Sequence, residues 1–80
     1  MAKNIQITIY ATPSCPWCHK ARDLLKQKKV AYKEVDVSSD EKGATEMFEK
    51  SGQMGVPVLD INGKIIVGFD RQAIEEELAE

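Results

Sequence analysis

Two cysteines, separated by two residues, are the side chains in this 80-residue chain best suited to chemistry. Cys15 and Cys18 lie where an alternating apolar segment gives way to a helical pattern. Residues three apart share a helix face, so the two sulfur atoms are expected within bonding distance. A thiol in the first helical turn has a lowered pKa, because unpaired N–H groups and the helix dipole stabilise its thiolate. The spacing therefore predicts a redox pair, with Cys15 as nucleophile and Cys18 as the more buried resolving thiol.

The sequence leaves three other roles of the cysteines open. The pair can simply pack in a core, although a proline at a helix start argues against this. The run from Cys15 to His19 also matches the c-type haem attachment pattern, which would need export and an axial ligand such as Met47 or Met54. A zinc or iron–sulfur site would need more ligands, shared between two copies of the chain. We expect no bound metal, and a metal-binding module is the alternative from a different class.

Composition excludes several other classes of protein. Lys and Arg total 11 against 13 Asp and Glu, and this net charge of −2 argues against nucleic-acid binding by bulk positive charge. No apolar run approaches the ~20 residues that a membrane span needs, and no apolar leader precedes the first strand-like segment. Two cysteines are too few for a secreted disulfide scaffold. We expect a monomeric, cytoplasmic protein with a single domain over residues 1–80.

The elements around the cysteines follow from periodicity. Alternating apolar residues over 5–10 predict a strand, and helical spacing over 15–29 predicts a helix with Ser14 as its N-cap. Residues 30–37 are rich in β-branched and aromatic side chains and predict a second strand. The cysteines are therefore expected at a strand-to-helix junction.

A second helix is expected after Ser38, which precedes Glu41 by three residues as in a capping box. Gly52 is its expected C-terminal stop. The residues expected to share one face of this helix are Ala44, Met47, Phe48 and Ser51.

The last third of the chain predicts a hairpin and a helix. Asn62-Gly63 separates two apolar segments, 58–61 and 64–67, and this dipeptide is a strong hairpin signal. Asp70 is the expected cap of a final helix. The complete order, β-α-β-α-β-β-α, predicts an α/β fold in which three helices cover a four-stranded mixed sheet.

Several residues are candidates for contact with a substrate. Trp17, between the cysteines, is expected at the rim of the site. A cis peptide before Pro57 would expose the backbone of Val56 to a bound substrate, although a simple edge-strand proline is also compatible. The helix that starts at Asp70 has N–H groups that could bind a carboxylate, or Asp70 merely caps it. His19 is expected to face solvent, with a minor effect on the nearby thiolate.

Together these segments resemble the glutaredoxin family over essentially the whole chain. The matching segments are Ile9-Tyr10, Cys15 to His19, Val56-Pro57 and Gly68 to Asp70. The resemblance implies a thioredoxin-like fold, a cis Pro57 and a nucleophilic Cys15. It also implies that the backbone of Val56 binds glutathione, whose γ-glutamyl carboxylate is received at Phe69 and Asp70. No tightly bound cofactor is implied, and the expected substrates are disulfide-containing proteins and glutathione mixed disulfides.

Three departures from the family concern the electron donor. Thr12 stands in the loop where many glutathione-using members carry lysine, Gly55 replaces a threonine, and Val67-Gly68 replaces a glycine pair. The Gly68-Phe69 ending looks like that of redoxins that serve ribonucleotide reductase and are reduced by a flavin-dependent thioredoxin reductase. The resemblance thus implies two candidate donors, glutathione and thioredoxin reductase.

Overall fold

The computed structural model describes residues 6–78, so Ile5 of the first predicted strand lies outside the described part. The elements are β1 (Ile7–Ala11), α1 (Pro16–Gln27), β2 (Lys33–Asp36), α2 (Glu41–Ser51), β3 (Val58–Ile61), β4 (Lys64–Val67) and α3 (Arg71–Leu78). This order and the single four-stranded sheet confirm the predicted α/β architecture. No helix within residues 6–78 is both long and apolar enough to span a bilayer.

The sheet places β1 at its centre, in the strand order β2-β1-β3-β4. β1 runs parallel to β2 and antiparallel to β3, with Ile9 opposite both Glu34 and Leu59. β3 and β4 form the predicted hairpin, in which Asn62 and Gly63 both have positive φ, 53° and 91°. Two positive φ values characterise the hairpin turn that matches the twist of the strands. Because β1 is a central strand, the loop that follows it begins at the middle of one end of the sheet.

Helix α1 packs on one face of the sheet and thereby fixes the second cysteine. Cys18, Ala21 and Leu25 are fully buried on its inner face, with Leu24 nearly so. They join a cluster with sheet residues such as Ile9 and with α3. Cys18 is buried in this core because it lies on the same face of α1 as the apolar residues that follow it.

The opposite face of the sheet is covered by α2. Met47 packs there on Tyr10 and Val58, and all three are fully buried. The Tyr10 hydroxyl donates to Glu46 at 2.5 Å and accepts from Lys50 at 2.9 Å, so the phenol keeps its hydrogen bonds on burial. Both faces of β1 are thus buried, which its alternating sequence did not predict.

Two predicted helix caps are wrong. Cys15, not Ser14, is the N-cap of α1. Asp40, not Ser38, caps α2 and accepts the Gly43 N–H at 3.0 Å. The Ser38 hydroxyl instead donates to the Asp36 carboxylate, which removes it from the helix terminus. Such local side-chain hydrogen bonds compete with capping.

Two predicted elements are also shorter than expected. Helix α1 ends at Gln27, and Lys29 beyond it has a φ of 57°, which a continuing helix does not allow. β2 begins only at Lys33. In α2, Phe48 is 49% exposed while Met47 is fully buried, so these residues do not share the buried face. The buried residues of the helix are Gly43 and Met47, four residues apart, and a Cβ atom at Gly43 would collide with the Val35 side chain of β2.

Candidate active site

Cys15 occupies the N-cap of α1 and uses its thiol as a capping group. Its backbone is extended, with φ −85° and ψ 116°, and Pro16 follows at the start of the helix. The Sγ atom accepts the Cys18 backbone N–H at 3.3 Å. Serine, threonine or aspartate oxygens usually take this role. A sulfur in that position faces the positive end of the helix dipole, which favours its thiolate form.

The two cysteines differ in exposure and in acidity. Cys15 is half-buried and Cys18 is fully buried. Burial raises the pKa of Cys15, but hydrogen bonds from the Cys18 thiol and from the Cys18 and Trp17 N–H groups, with the charge of Arg22, outweigh it. The pKa of Cys15 therefore lies below its ordinary value. Burial and the hydrogen bond to Cys15 raise the pKa of Cys18 to about 11. This asymmetry favours Cys15 as the attacking thiolate.

A shallow groove beside the cysteines brings together four of the predicted contact residues. Trp17, Val56, Pro57 and Phe69 line it, with Gly68, around a volume of about 280 Å³. The Val56–Pro57 peptide bond is cis, as the resemblance implied. The Gly68 N–H donates to the Pro57 carbonyl at 2.7 Å, which ties the end of β4 to the start of β3.

The rim of this groove is aromatic and exposed. Trp17 is 54% exposed and stacks on Phe69, with ring centroids 6.2 Å apart and planes inclined by 28°. The ammonium group of Lys20 lies 4.4 Å from the centroid of the Trp17 ring. The second ring and the cation restrict the orientation of the exposed indole.

The other two predicted contact residues, Thr12 and Asp70, do not line the groove. Asp70 caps α3, where its carboxylate accepts the Ala73 N–H at 3.2 Å. Its predicted capping role is confirmed. Thr12 is half-buried in the loop between β1 and α1, and its carbonyl lies 3.5 Å from the Cys15 backbone nitrogen.

Arg22 is the site residue that sequence reasoning missed. Its guanidinium pairs with Glu34 of β2 through two nitrogens, at 2.7 and 2.8 Å, and donates to the Thr12 carbonyl at 3.2 Å. A third nitrogen lies 2.9 Å from Nδ1 of His19. Arg22 follows Cys18 by four residues, the helical spacing that places it beside the site. That spacing was the available signal, but the partner on β2 was not visible in the sequence.

His19 is exposed, as predicted, yet both of its ring nitrogens have partners. Nε2 lies 2.9 Å from the Pro13 carbonyl, and Nδ1 faces Arg22. Within residues 6–78, no group of three or more His, Cys, Asp or Glu side chains is placed to hold a metal ion.

Comparison with known proteins extends these observations. The family model described as Glutaredoxin matches residues 7–66, which include both cysteines and Pro57 but not Phe69 or Asp70. An uncharacterized glutaredoxin-like 8.6 kDa protein of the rubredoxin operon of Clostridium pasteurianum is 47% identical over 70 residues, 88% of this chain and 93% of its own. Glutaredoxin 3 of Escherichia coli K12 is 34% identical over 64 residues, 80% of this chain and 77% of its own.

Among solved structures, the T8A mutant of the thioredoxin-like protein BC3987 superposes with a TM-score of 0.87 at 30% identity. The superposition covers 91% of this chain and 94% of that one. The glutaredoxin from Archaeoglobus fulgidus superposes with a TM-score of 0.83, at 20% identity, over 92% of this chain and 86% of its own. These matches confirm the predicted thioredoxin-like fold.

Proposed function

The chain belongs to the glutaredoxin family, and on that basis we propose that it catalyses thiol–disulfide exchange through Cys15 and Cys18. The observation that carries the proposal is the N-cap position of Cys15, whose sulfur accepts the Cys18 N–H while the Cys18 thiol is buried one turn behind. One sulfur is thereby partly exposed and activated, and the other stays buried behind it. The proposed substrates are disulfides of proteins and mixed disulfides with glutathione.

The proposed reaction has two exchange steps. The Cys15 thiolate attacks one sulfur of the substrate disulfide, forms a mixed disulfide and expels the other substrate sulfur as a thiolate. Cys18 then attacks the Cys15 sulfur, the mixed disulfide breaks, and the second substrate sulfur leaves. The proton of the Cys18 thiol ends on a departing substrate thiolate. The substrate disulfide gains two electrons, and the cysteine pair becomes a disulfide that a separate donor must reduce.

The groove is the proposed binding site of the substrate chain. Trp17 and Phe69 supply exposed aromatic area, and the backbone of Val56, at the cis peptide, is proposed to pair with the substrate backbone. The carboxylate of a glutathione moiety is proposed to bind at the start of α3, at Phe69 and Asp70. No resident cofactor is needed, because the two thiols carry the electrons. We propose a cytoplasmic setting, where reduced thiols persist.

A flavin-dependent thioredoxin reductase is the second candidate donor, and one feature of the site favours it. Thr12 brings no charge to the loop, and Arg22, which donates to the Thr12 carbonyl, is paired with Glu34 at 2.7 Å. Residues 12–15 of the loop therefore offer a glutathione carboxylate no cationic side chain. Val67, which is 51% exposed beside Gly68, adds bulk at the groove's end.

The test of the function is a disulfide-reduction assay on the wild type and two single-thiol variants. Because the chain has two cysteines, C15S and C18S each retain one thiol. We expect C15S to be inactive with every disulfide, whereas C18S should accumulate a covalent mixed disulfide that mass spectrometry detects. Far-ultraviolet circular dichroism of both variants provides the folding control. Substantial insulin-disulfide reduction by C15S would contradict the proposal. Stoichiometric iron or zinc in the purified protein would favour the metal-binding alternative instead.

A further inference from the structure

Three side chains from neighbouring elements hold the loop that precedes Cys15. Arg22 of α1 donates to the Thr12 carbonyl, and His19 of α1 meets the next carbonyl, that of Pro13. Glu34 of β2 anchors Arg22 through two nitrogens. We call Arg22, Glu34 and His19 the loop clamp. It links two consecutive carbonyls of the loop to the neighbouring helix and to the sheet.

The clamp is more buried and has more partners than an ordinary surface ion pair. The Arg22 side chain is only 12% exposed, and one guanidinium contacts a carboxylate, a carbonyl and an imidazole. The planar, five-donor guanidinium suits such a set of partners, which an ammonium group cannot contact together. By contrast, Lys28, the C-cap of the same helix, is 42% exposed and meets Glu75 at 3.7 Å. Exposed pairs of that kind contribute little.

The clamp also defines the state of His19. Nε2 faces a carbonyl oxygen, which only accepts, so Nε2 must carry the hydrogen. Nδ1 faces a guanidinium N–H, which only donates, so Nδ1 must be the acceptor. These contacts fit the tautomer that carries its hydrogen on Nε2.

The loop between β1 and α1 determines where the nucleophile sits. Only residues 12–15 separate the last residue of β1 from the first of α1, and Pro13 has no N–H with which to hold the loop. The Thr12 carbonyl that receives Arg22 also lies 3.5 Å from the Cys15 nitrogen. A shift of this carbonyl would therefore move the cap whose sulfur accepts the Cys18 N–H at 3.3 Å.

We propose that Arg22, held by Glu34, is a positioning residue that fixes the loop presenting Cys15. The effect of Arg22 on turnover rests on the proposed function, whereas the effect of Arg22 on the loop does not. The positive charge of Arg22 also lowers the pKa of Cys15, so a purely electrostatic role is the competing account. The two accounts differ when the charge is kept and the geometry is changed.

The variants R22K and E34Q separate geometry from charge, and K28M is the matched control. R22K keeps the positive charge but loses the guanidinium fork. E34Q keeps the side-chain shape but releases Arg22 from its anchor. K28M removes a cation and an inter-element ion pair from the same helix, away from the cysteines. Amide hydrogen exchange of Thr12, Ser14 and Cys15, the pH profile of thiolate absorbance and the thermal midpoint are measured for each variant.

If the clamp positions the loop, R22K and E34Q should both speed amide exchange of the loop about tenfold or more. A tenfold faster exchange corresponds to a loss of about 1.4 kcal/mol in the local free energy of opening. Both should also raise the pKa of Cys15, since the N-cap hydrogen bond loosens. A purely electrostatic role would leave Cys15 unchanged in R22K and lower its pKa further in E34Q, since a negative charge is removed. That result would overturn the proposal.

Equal effects of R22K, E34Q and K28M on the loop would likewise overturn the proposal, because they would indicate general destabilisation. These measurements need no disulfide substrate, so they stand even if the proposed function fails. For turnover, the positioning role predicts a fall in kcat of about three- to tenfold in R22K, with KM nearly unchanged. A rise in KM alone would place Arg22 in substrate binding and contradict the proposal.

Discussion

Replacing Thr12 by lysine is expected to raise glutathione-dependent turnover, because it adds a cation beside the nucleophile. Thr12 lies in the loop before Cys15, and Arg22, the cation beside it, already faces Glu34 at 2.7 Å. A charge-assisted hydrogen bond from a lysine to a glutathione carboxylate contributes about 1.5–3 kcal/mol. At tenfold per 1.4 kcal/mol, this corresponds to roughly 10- to 100-fold tighter binding. Solvent at this half-buried position places the expected gain near the lower figure.

The assay couples oxidised glutathione formation to glutathione reductase and follows NADPH consumption with a small mixed-disulfide substrate. T12Q is the matched control, since glutamine is nearly as long as lysine but uncharged. We expect T12K to lower the KM for glutathione about tenfold, T12Q to change it little, and added salt to reduce the gain. A parallel assay with thioredoxin reductase should show no gain from T12K, because that donor does not present the same carboxylate.

Val67 provides the competing explanation for the poor glutathione turnover that we expect of the wild type. It is 51% exposed at the end of β4, directly before Gly68 of the groove, and its side chain would crowd the γ-glutamyl end of glutathione. If crowding is decisive, V67G should raise glutathione turnover and T12K should not. Wild-type turnover equal to that of a lysine-bearing glutaredoxin would refute both explanations and show that glutathione is an adequate donor.

Three further predictions concern the thiols and the core. Limiting iodoacetamide at neutral pH should label Cys15 well before Cys18, because their pKa values are shifted in opposite directions; mass-spectrometric mapping that finds Cys18 labelled first would reverse the roles. The pKa of Cys18 is higher in the folded state than in the unfolded state. The contribution of Cys18 to stability is therefore complete below about pH 8.5 and is lost toward pH 11. The free energy of unfolding of the wild type should fall over this window more than that of C18A. M47A should lower the free energy of unfolding by about 2–5 kcal/mol in urea titrations, whereas F48A, at an exposed position, should cost less than about 1 kcal/mol; equal losses would contradict the assigned packing of α2.

Features that depend on a few neighbouring residues were predicted correctly. Asn62-Gly63 predicts the hairpin because both residues tolerate the positive φ that its turn needs. Asp70 predicts the start of α3 because a carboxylate there accepts an N–H of the first turn. The spacing of Cys15 and Cys18 predicts their proximity because a helix repeats every ~3.6 residues. The element order, and with it the mixed sheet, follows from such local signals.

The wrong caps show where local signals compete. Ser38 and Asp40 are both good N-cap residues, and the choice depends on Asp36, which takes the serine hydroxyl. The buried face of α2 runs through Gly43 and Met47, and helical spacing alone does not select this face over one that includes Phe48. In both cases, a contact that the pattern does not encode decides between the alternatives.

The sequence by itself determined the cysteine pair, its place at a helix start and the family to which the chain belongs. The groove was decided only by the tertiary structure, which stacks Trp17 on Phe69 from the far end of the chain. The same holds for the clamp, in which Arg22 meets Glu34 across the gap between helix and sheet. The reason is physical: backbone preferences and spacing act within a few residues, whereas contacts between distant side chains exist only after the sheet and helices pack.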